Sequence, residues 1–214
     1  MLEETGVPYE IHPVNIMRGE QFDPKFLAIS PNNKIPAIVD TEGPDGQPIA
    51  LFESGAILVY LAEKAGMLLP QDTRMRMRTL QWLFFQVGGV GPMFGQRNHF
   101  SFAAADKISY AIDRYENESH RLCKVVNGAL ADSDYIAGEY SIADIALFTW
   151  MKSYVDSGGN IDELQDLRRW LDAVGERPAV QHGLDILAEK SGNLDHSDEV
   201  RDILFGKSQI SQSL

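Results

Sequence analysis

The chain has 214 residues, 44% of them apolar, which suffices for one large domain or two small ones with an ordinary globular core. Its formal net charge is −12 and no run of Lys or Arg stands out, so nucleic acid and anionic membranes are poor partners, since both attract clustered positive charge. No window approaches the roughly 18 apolar residues of a membrane span. The start, Met1-Leu2-Glu3-Glu4, is acidic where a signal peptide is basic. The single cysteine, Cys123, excludes an intrachain disulfide and points to a reducing, cytoplasmic compartment.

In chain order, Met1 to Gly6 reads as the last turns of a helix closed by glycine. Tyr9, Ile11, Val14 and Ile16 suggest a strand, with Pro8 and Pro13 near its ends. Arg18 to Phe22 is a polar loop, and Asp23-Pro24 caps a short helix over Lys25 to Ile29. The apolar run Ala37 to Val39 predicts a strand and Pro48 to Phe52 its hairpin partner, joined by the Gly-, Pro- and Asp-rich turn Thr41 to Pro48. Glu53-Ser54-Gly55 opens a helix that stops at Gly66.

Leu68 to Asp72 is a linker, and everything beyond it reads helical. Thr73 to Val87 is a helix, interrupted by Gly88-Gly89-Val90-Gly91-Pro92, where a kink is expected. Further helices are predicted over Ala103 to Leu130, Ser141 to about Val155, Ile161 to Arg177, and Val180 to Lys190. Pro178 marks the end of the fourth. The tail from Ser191 is polar, with a helical piece at Glu199 to Phe205 and a mobile end at Lys207 to Leu214. This divides the chain into an α/β domain over 1–70, an all-helical domain over 73–190 and a tail over 191–214.

Two local motifs carry chemistry. Ile35-Pro36 sits where a loop enters a strand. A cis bond there would turn the Ile35 N–H and C=O sideways to meet another backbone, although cis occurs at only about 5% of X–Pro bonds and the local sequence alone favours trans. Glu53-Ser54 at a helix start has two readings. Ser54 is a plain cap, or the helix N-terminus holds a ligand carboxylate while Glu53 takes an ammonium, a pair suited to an amino-acid head group.

Other features read as structural. Ser141-Ile142-Ala143-Asp144 has capping-box spacing, with Tyr140 and Ile145 placed for a hydrophobic staple. Cys123, beside Leu122 and Val125, reads as a packed thiol. The histidines at 12, 99, 120, 182 and 196 show no ligand spacing, so no metal is expected. The glycines between Gly88 and Gly95 are no nucleotide loop, because no strand precedes them.

The run Ser30-Pro31-Asn32-Asn33-Lys34-Ile35-Pro36-Ala37-Ile38-Val39-Asp40, followed by Phe52-Glu53-Ser54-Gly55-Ala56-Ile57, resembles the glutathione-binding core of the glutathione transferases. Leu80 to Gly89 and Gly91-Pro92-Met93 resemble the bacterial nu class, the disulfide-bond oxidoreductases. The resemblance spans roughly residues 1 to 190. It implies a thioredoxin-like lobe, an all-α lobe, a homodimer and a cis Ile35-Pro36 bond. Ile35 would pair by its backbone with the cysteinyl unit of glutathione, and Glu53 and Ser54 would hold the γ-glutamyl head. Gln21 and Lys34 match positions at the glycine end. Arg114 matches an arginine that contacts glutathione in this class.

The resemblance also implies a first strand and a sulfur-contacting turn that this sequence does not carry. Met1 therefore reads as an internal methionine of a longer chain, and no catalytic residue is assigned. A sheet lacking that strand would hold Tyr9 to Ile16 poorly, each unpaired buried backbone group costing about 1–3 kcal/mol. Two readings follow. The first is a glutathione-dependent disulfide reductase or transferase, acting by thiol–disulfide exchange on a small disulfide or electrophile. The second is a non-catalytic binding or interaction module on the same fold.

Overall fold

The computed structural model describes residues 1–188, 197–207 and 209. Two compact units emerge. One comprises Met1–Val7 and Leu61–Ile186; the other comprises Pro8–Tyr60 with the described residues from Leu187 on.

The second unit is built on a single hairpin. Strands β1 (Ala37–Asp40) and β2 (Ile49–Phe52) pair antiparallel, with Ala37 opposite Phe52 and Asp40 opposite Ile49. The Pro- and Gly-rich turn between them includes Asp45 at φ 58° and Gly46 at φ 69°, left-handed positions that Asp and Gly tolerate best. Helix α3 (Ser54–Ala65) follows β2 directly and is stopped by Gly66 at φ 67°. Tyr60 of α3 donates to Asp40 Oδ2 of β1 at 2.6 Å, and this bond first, then burial, pushes the phenol up to about 12. Helix α2 (Pro24–Leu27) begins as expected, with Asp23 accepting from the Lys25 N–H and proline in its first turn.

Two expectations in this unit are corrected. Tyr9 to Ile16 forms no strand; among the described residues the sheet has two strands, Ala37–Asp40 and Ile49–Phe52. A strand needs a ladder partner, and Pro8 and Pro13 each remove a donor. The loop at Arg18 to Phe22 is instead part of two short 3₁₀ turns, Ile16–Arg18 and Glu20–Phe22, hinged at Gly19 with φ 78°.

The first unit is helical. Helix α1 (Leu2–Thr5) ends at Gly6 with φ 66°, as read from the sequence. Helix α4 (Thr73–Phe85) is capped by Asp72, whose side chain accepts from the Met75 N–H. The expected interruption takes the form of a π turn over Gln86–Val90, leading straight into α5 (Gly91–Asn98). Pro92 has no N–H to close an α-helical bond, so a wider turn fits there. Packing is tight at Gly91: an added Cβ would lie 3.1 Å from Gln86 Nε2, so that side-chain amide would have to give way by a few tenths of an ångström.

The second long helix is shorter than expected. A π turn over His99–Ala103 and a non-helical link precede α6 (Ser109–Ala129). Helix α7 (Ile142–Asp156) matches its prediction. Helix α8 covers only Gln165–Gly175, and Pro178 opens α9 (Pro178–Asp185), where it occupies the first turn. The helix expected to reach Lys190 ends instead at Asp185, because Ile186 turns out of helical backbone at ψ 120°; residues 189 and 190 lie outside the described ones. Trp170, Phe94, Leu147 and Met151 lie at the centre of the core, each at most 1% exposed. The tail's helical piece is α10 (Asp198–Phe205), capped by Ser197, which accepts from the Val200 N–H. The expected mobile end from Lys207 falls largely outside the described residues.

The capping box at the start of α7 is a hub of the helical unit. Asp144, fully buried, accepts at Oδ1 from the Ile136 N–H (2.9 Å) and from Trp170 Nε1–H (2.9 Å). Its Oδ2 accepts from the Ser141 N–H (3.0 Å) and hydroxyl (3.1 Å). Burial pushes the carboxyl above its ordinary range, against these donors, which favour the charged form.

Candidate functional site

The register of the hairpin decides what comes together. Because Ala37 faces Phe52, the residues just before β1 and just after β2 leave the same end of the sheet. Those residues are Ile35-Pro36 and Glu53-Ser54. The Ile35-Pro36 bond is cis, as the resemblance implies. Ile35 is 51% exposed, and among the described residues its N–H and C=O take part in no hydrogen bond. The loop before it is tied down. Ser30, fully buried, donates its hydroxyl to the Lys34 carbonyl at 2.9 Å and accepts from the Asn33 N–H at 2.9 Å. Asn33 holds φ 47°, and its Oδ1 is buried with no partner among the described residues.

Glu53 adopts φ 70°, a left-handed conformation costly for a glutamate, of the kind that concentrates at ligand sites. Its carbonyl accepts from the Ile57 N–H at 3.0 Å, so Glu53 itself stands at the cap position of α3 and Ser54 is the first helical residue. The plain-cap reading of Ser54 therefore does not apply. Both side chains are exposed, and neither has a partner among the described residues. A carboxylate and a hydroxyl thus stand together at the positive end of a helix, beside an exposed backbone with an unused donor and acceptor.

Gln21 and Lys34 belong to the same unit. Gln21 is 2% exposed on the turn Glu20–Phe22, and its Oε1 is buried with no donor among the described residues. Lys34 presents an exposed ammonium whose one polar partner among the described residues is Oε1 of Gln209, at 3.4 Å. Arg114 lies in the other unit, on α6, paired with Glu118 at 3.8 Å and about half exposed. Five of the six predicted residues thus share one unit and Arg114 does not. The buried Asn33 Oδ1 and the Lys34–Gln209 contact were not read from the sequence; the Asn-Asn turn hinted at the first, and nothing local marked the second.

Cys123 sits elsewhere, fully buried on α6, with its thiol donating to Met151 Sδ at 3.7 Å. Burial first, then the charge of Glu116, pushes the thiol up to about 12. A thiol held that far above neutrality stays protonated at pH 7, so it is no nucleophile. Among the described residues no three His, Cys, Asp or Glu side chains come together as a metal would require, and no helix is long and apolar enough to cross a membrane.

Comparison with known proteins settles the lineage. Residues 1–64 match the family described as glutathione S-transferase, N-terminal domain. The chain is 49% identical over 185 residues to the disulfide-bond oxidoreductase YfcG of Escherichia coli, covering 86% of each chain. The chain belongs to the glutathione transferase superfamily. It is also 43% identical to the disulfide-bond oxidoreductase YghU of the same organism, over 86% of this chain and 68% of that one. Among solved structures, a glutathione transferase from Pseudomonas putida with one glutathione disulfide bound per subunit superposes with TM-score 0.82 at 51% identity, over 86% of this chain and 84% of that one. One from Burkholderia graminis with two glutathione molecules per subunit gives TM-score 0.84 at 47% identity, over 89% and 82%. The hairpin unit with α3 and the helical unit are accordingly the thioredoxin-like and all-α lobes of the glutathione transferase fold.

Proposed function

We propose that this chain is a glutathione-dependent disulfide-bond reductase or transferase of the nu class. The observation that carries the reading is the pair Glu53 and Ser54, without side-chain partners among the described residues, at the helix α3 N-terminus beside the open backbone of Ile35. Glutathione carries an ammonium and a carboxylate at its γ-glutamyl head, a thiol in the middle and a second carboxylate at its glycine end. Glu53 takes the ammonium, and Ser54 with the first N–H groups of α3 takes the head carboxylate. Ile35 holds the cysteinyl unit by its backbone. Lys34 and Gln21 receive the glycine end. The relatives from Pseudomonas putida and Burkholderia graminis, which hold glutathione disulfide and two glutathione molecules, support a site that takes either form.

The chemistry is thiol–disulfide exchange carried by the ligand. A glutathione thiolate attacks one sulfur of a small disulfide, forming a mixed disulfide and releasing one thiolate. A second glutathione thiolate attacks the mixed disulfide at the glutathione sulfur, giving glutathione disulfide and releasing the other thiolate. The protein binds, orients and desolvates; its own buried thiol takes no part. The names of the curated relatives favour this reading over the non-catalytic module.

We further propose a homodimer acting in the cytoplasm. Met77 and Phe84, one heptad apart on one face of α4, are 52% and 67% exposed, large apolar groups that a second subunit would cover. The function is tested by following disulfide reduction with glutathione and a small model disulfide. Turnover that depends on both protein and glutathione supports the reading; a rate equal to that without protein rejects it.

A further inference from the structure

The ammonium of Lys34 is engaged by the far end of the chain. Its Nζ donates to Gln209 Oε1 at 3.4 Å, across 175 positions of sequence. Gln209 is held from its other side. Its Nε2 donates to the Ile203 carbonyl of α10 at 2.5 Å, and its backbone N–H donates to the Gly206 carbonyl at 3.2 Å. With the amide nitrogen occupied by α10, the amide oxygen faces the lysine. Helix α10 in turn packs against the 3₁₀ turn Ile16–Arg18, which leads through Gly19 into the turn carrying Gln21. Its Val200 is buried, at 8% exposure. One C-terminal segment therefore contacts Lys34 and braces the approach to Gln21, the two residues read as the glycine end of the site.

We propose that Gln209 is a competing acceptor for Lys34, displaced by the glycine carboxylate when glutathione binds. This rests on the glutathione reading given above. The Lys34–Gln209 bond is long, exposed and made to a neutral oxygen. A carboxylate accepts from an ammonium at shorter range and adds a charge–charge attraction that a neutral amide oxygen lacks, so the ligand wins the exchange. Breaking the internal bond first lowers the net affinity, and it couples occupancy of the site to the seating of α10. Gln209 is thus a specificity element for ligands that carry an anionic group at that end.

The test is calorimetric titration of the full chain with two probes, glutathione and its glycine ethyl ester. The variants are Gln209→Ala and Gln209→Glu. Gln209→Ala should tighten glutathione by about two- to tenfold, the range for one long, solvent-exposed hydrogen bond. Gln209→Glu gives Lys34 a charged acceptor and should weaken glutathione. The ester, lacking the carboxylate, should respond to neither change. Unchanged or weaker glutathione binding in Gln209→Ala, or an equal response with the ester, overturns the proposal. A Glu53→Ala control separates the two claims. If Glu53→Ala weakens glutathione while both Gln209 variants bind it as the parent does, only the role of Gln209 falls. If the parent chain does not bind glutathione, both fall.

Discussion

Replacing Asp144 by alanine removes the acceptor for three donors with fixed positions: the N–H groups of Ile136 and Ser141 and the indole N–H of Trp170. The Ser141 hydroxyl can rotate to a new partner and is left out of the sum. Ile136 and Trp170 are fully buried and Ser141 nearly so, leaving no ready path for water to replace the carboxylate. At about 1–3 kcal/mol per stranded donor, the loss is about 3–9 kcal/mol. The desolvation cost of a buried charge is recovered in the variant, which favours the lower part of that range. Even so, about 3 kcal/mol is a large fraction of a typical stability of about 5–15 kcal/mol. Asp144→Asn keeps one acceptor oxygen and turns an amide toward other donors, so it should fall between the wild type and Asp144→Ala. Urea unfolding followed by circular dichroism measures all three. A loss below about 1 kcal/mol for Asp144→Ala would refute the reasoning, since one stranded donor alone accounts for that much.

Three further outcomes are expected. Cys123→Ser, wherever it folds, should keep nearly full glutathione-dependent reductase activity; a folded but inactive variant would move the chemistry onto the protein. Phe84→Glu places a charge on the exposed α4 face and should shift the chain from dimer to monomer in light scattering coupled to size exclusion, whereas an unchanged dimer would reject that face as the interface. Glu4 is held below the ordinary glutamate range, chiefly by its hydrogen bonds from Arg177, which run at 2.7 and 2.9 Å. A carboxylate with a depressed folded pKa adds stability above its unfolded pKa of about 4.3 and loses it as the pH falls through the folded value. Glu4→Gln should therefore lower the melting temperature at neutral pH, and the gap should close below about pH 4; a gap constant with pH would contradict the pairing.

Local signals in this sequence were legible where a few adjacent residues decide the backbone. The hairpin with its Pro- and Gly-rich turn, the Gly6 and Gly66 stops, the Asp23-Pro24 start and the Ser141–Asp144 box all formed as read. The stretch Tyr9 to Ile16 failed because alternation records only a face, while a strand exists only through its neighbour. Helix boundaries around Gly88, Ala103 and Ile161 shifted because apolar spacing continues through π turns and capping turns without distinguishing them from helix. At the site, Glu53 and Ser54 were readable as a helix start, but whether Ser54 caps or stays free depended on which residue takes the cap position. Contacts made across long separations left no local mark. Arg97, nearly buried, pairs with Glu116 at 2.7 Å, and Tyr154 donates to the same carboxylate at 2.7 Å. Lys34 and Gln209 are a second such pair.

The central claim is that Glu53 and Ser54 hold the head of glutathione. Calorimetric titration of glutathione into the wild type, Glu53→Ala and Ser54→Ala tests it most directly. Both residues are exposed, and their side chains make no hydrogen bond or ion pair among the described residues, so either change should leave the fold and its melting temperature intact. Each should weaken binding by about 1–3 kcal/mol, the range for removing a partner of a charged group, or roughly 5- to 150-fold in affinity. Affinities equal to that of the wild type in both variants would contradict the account.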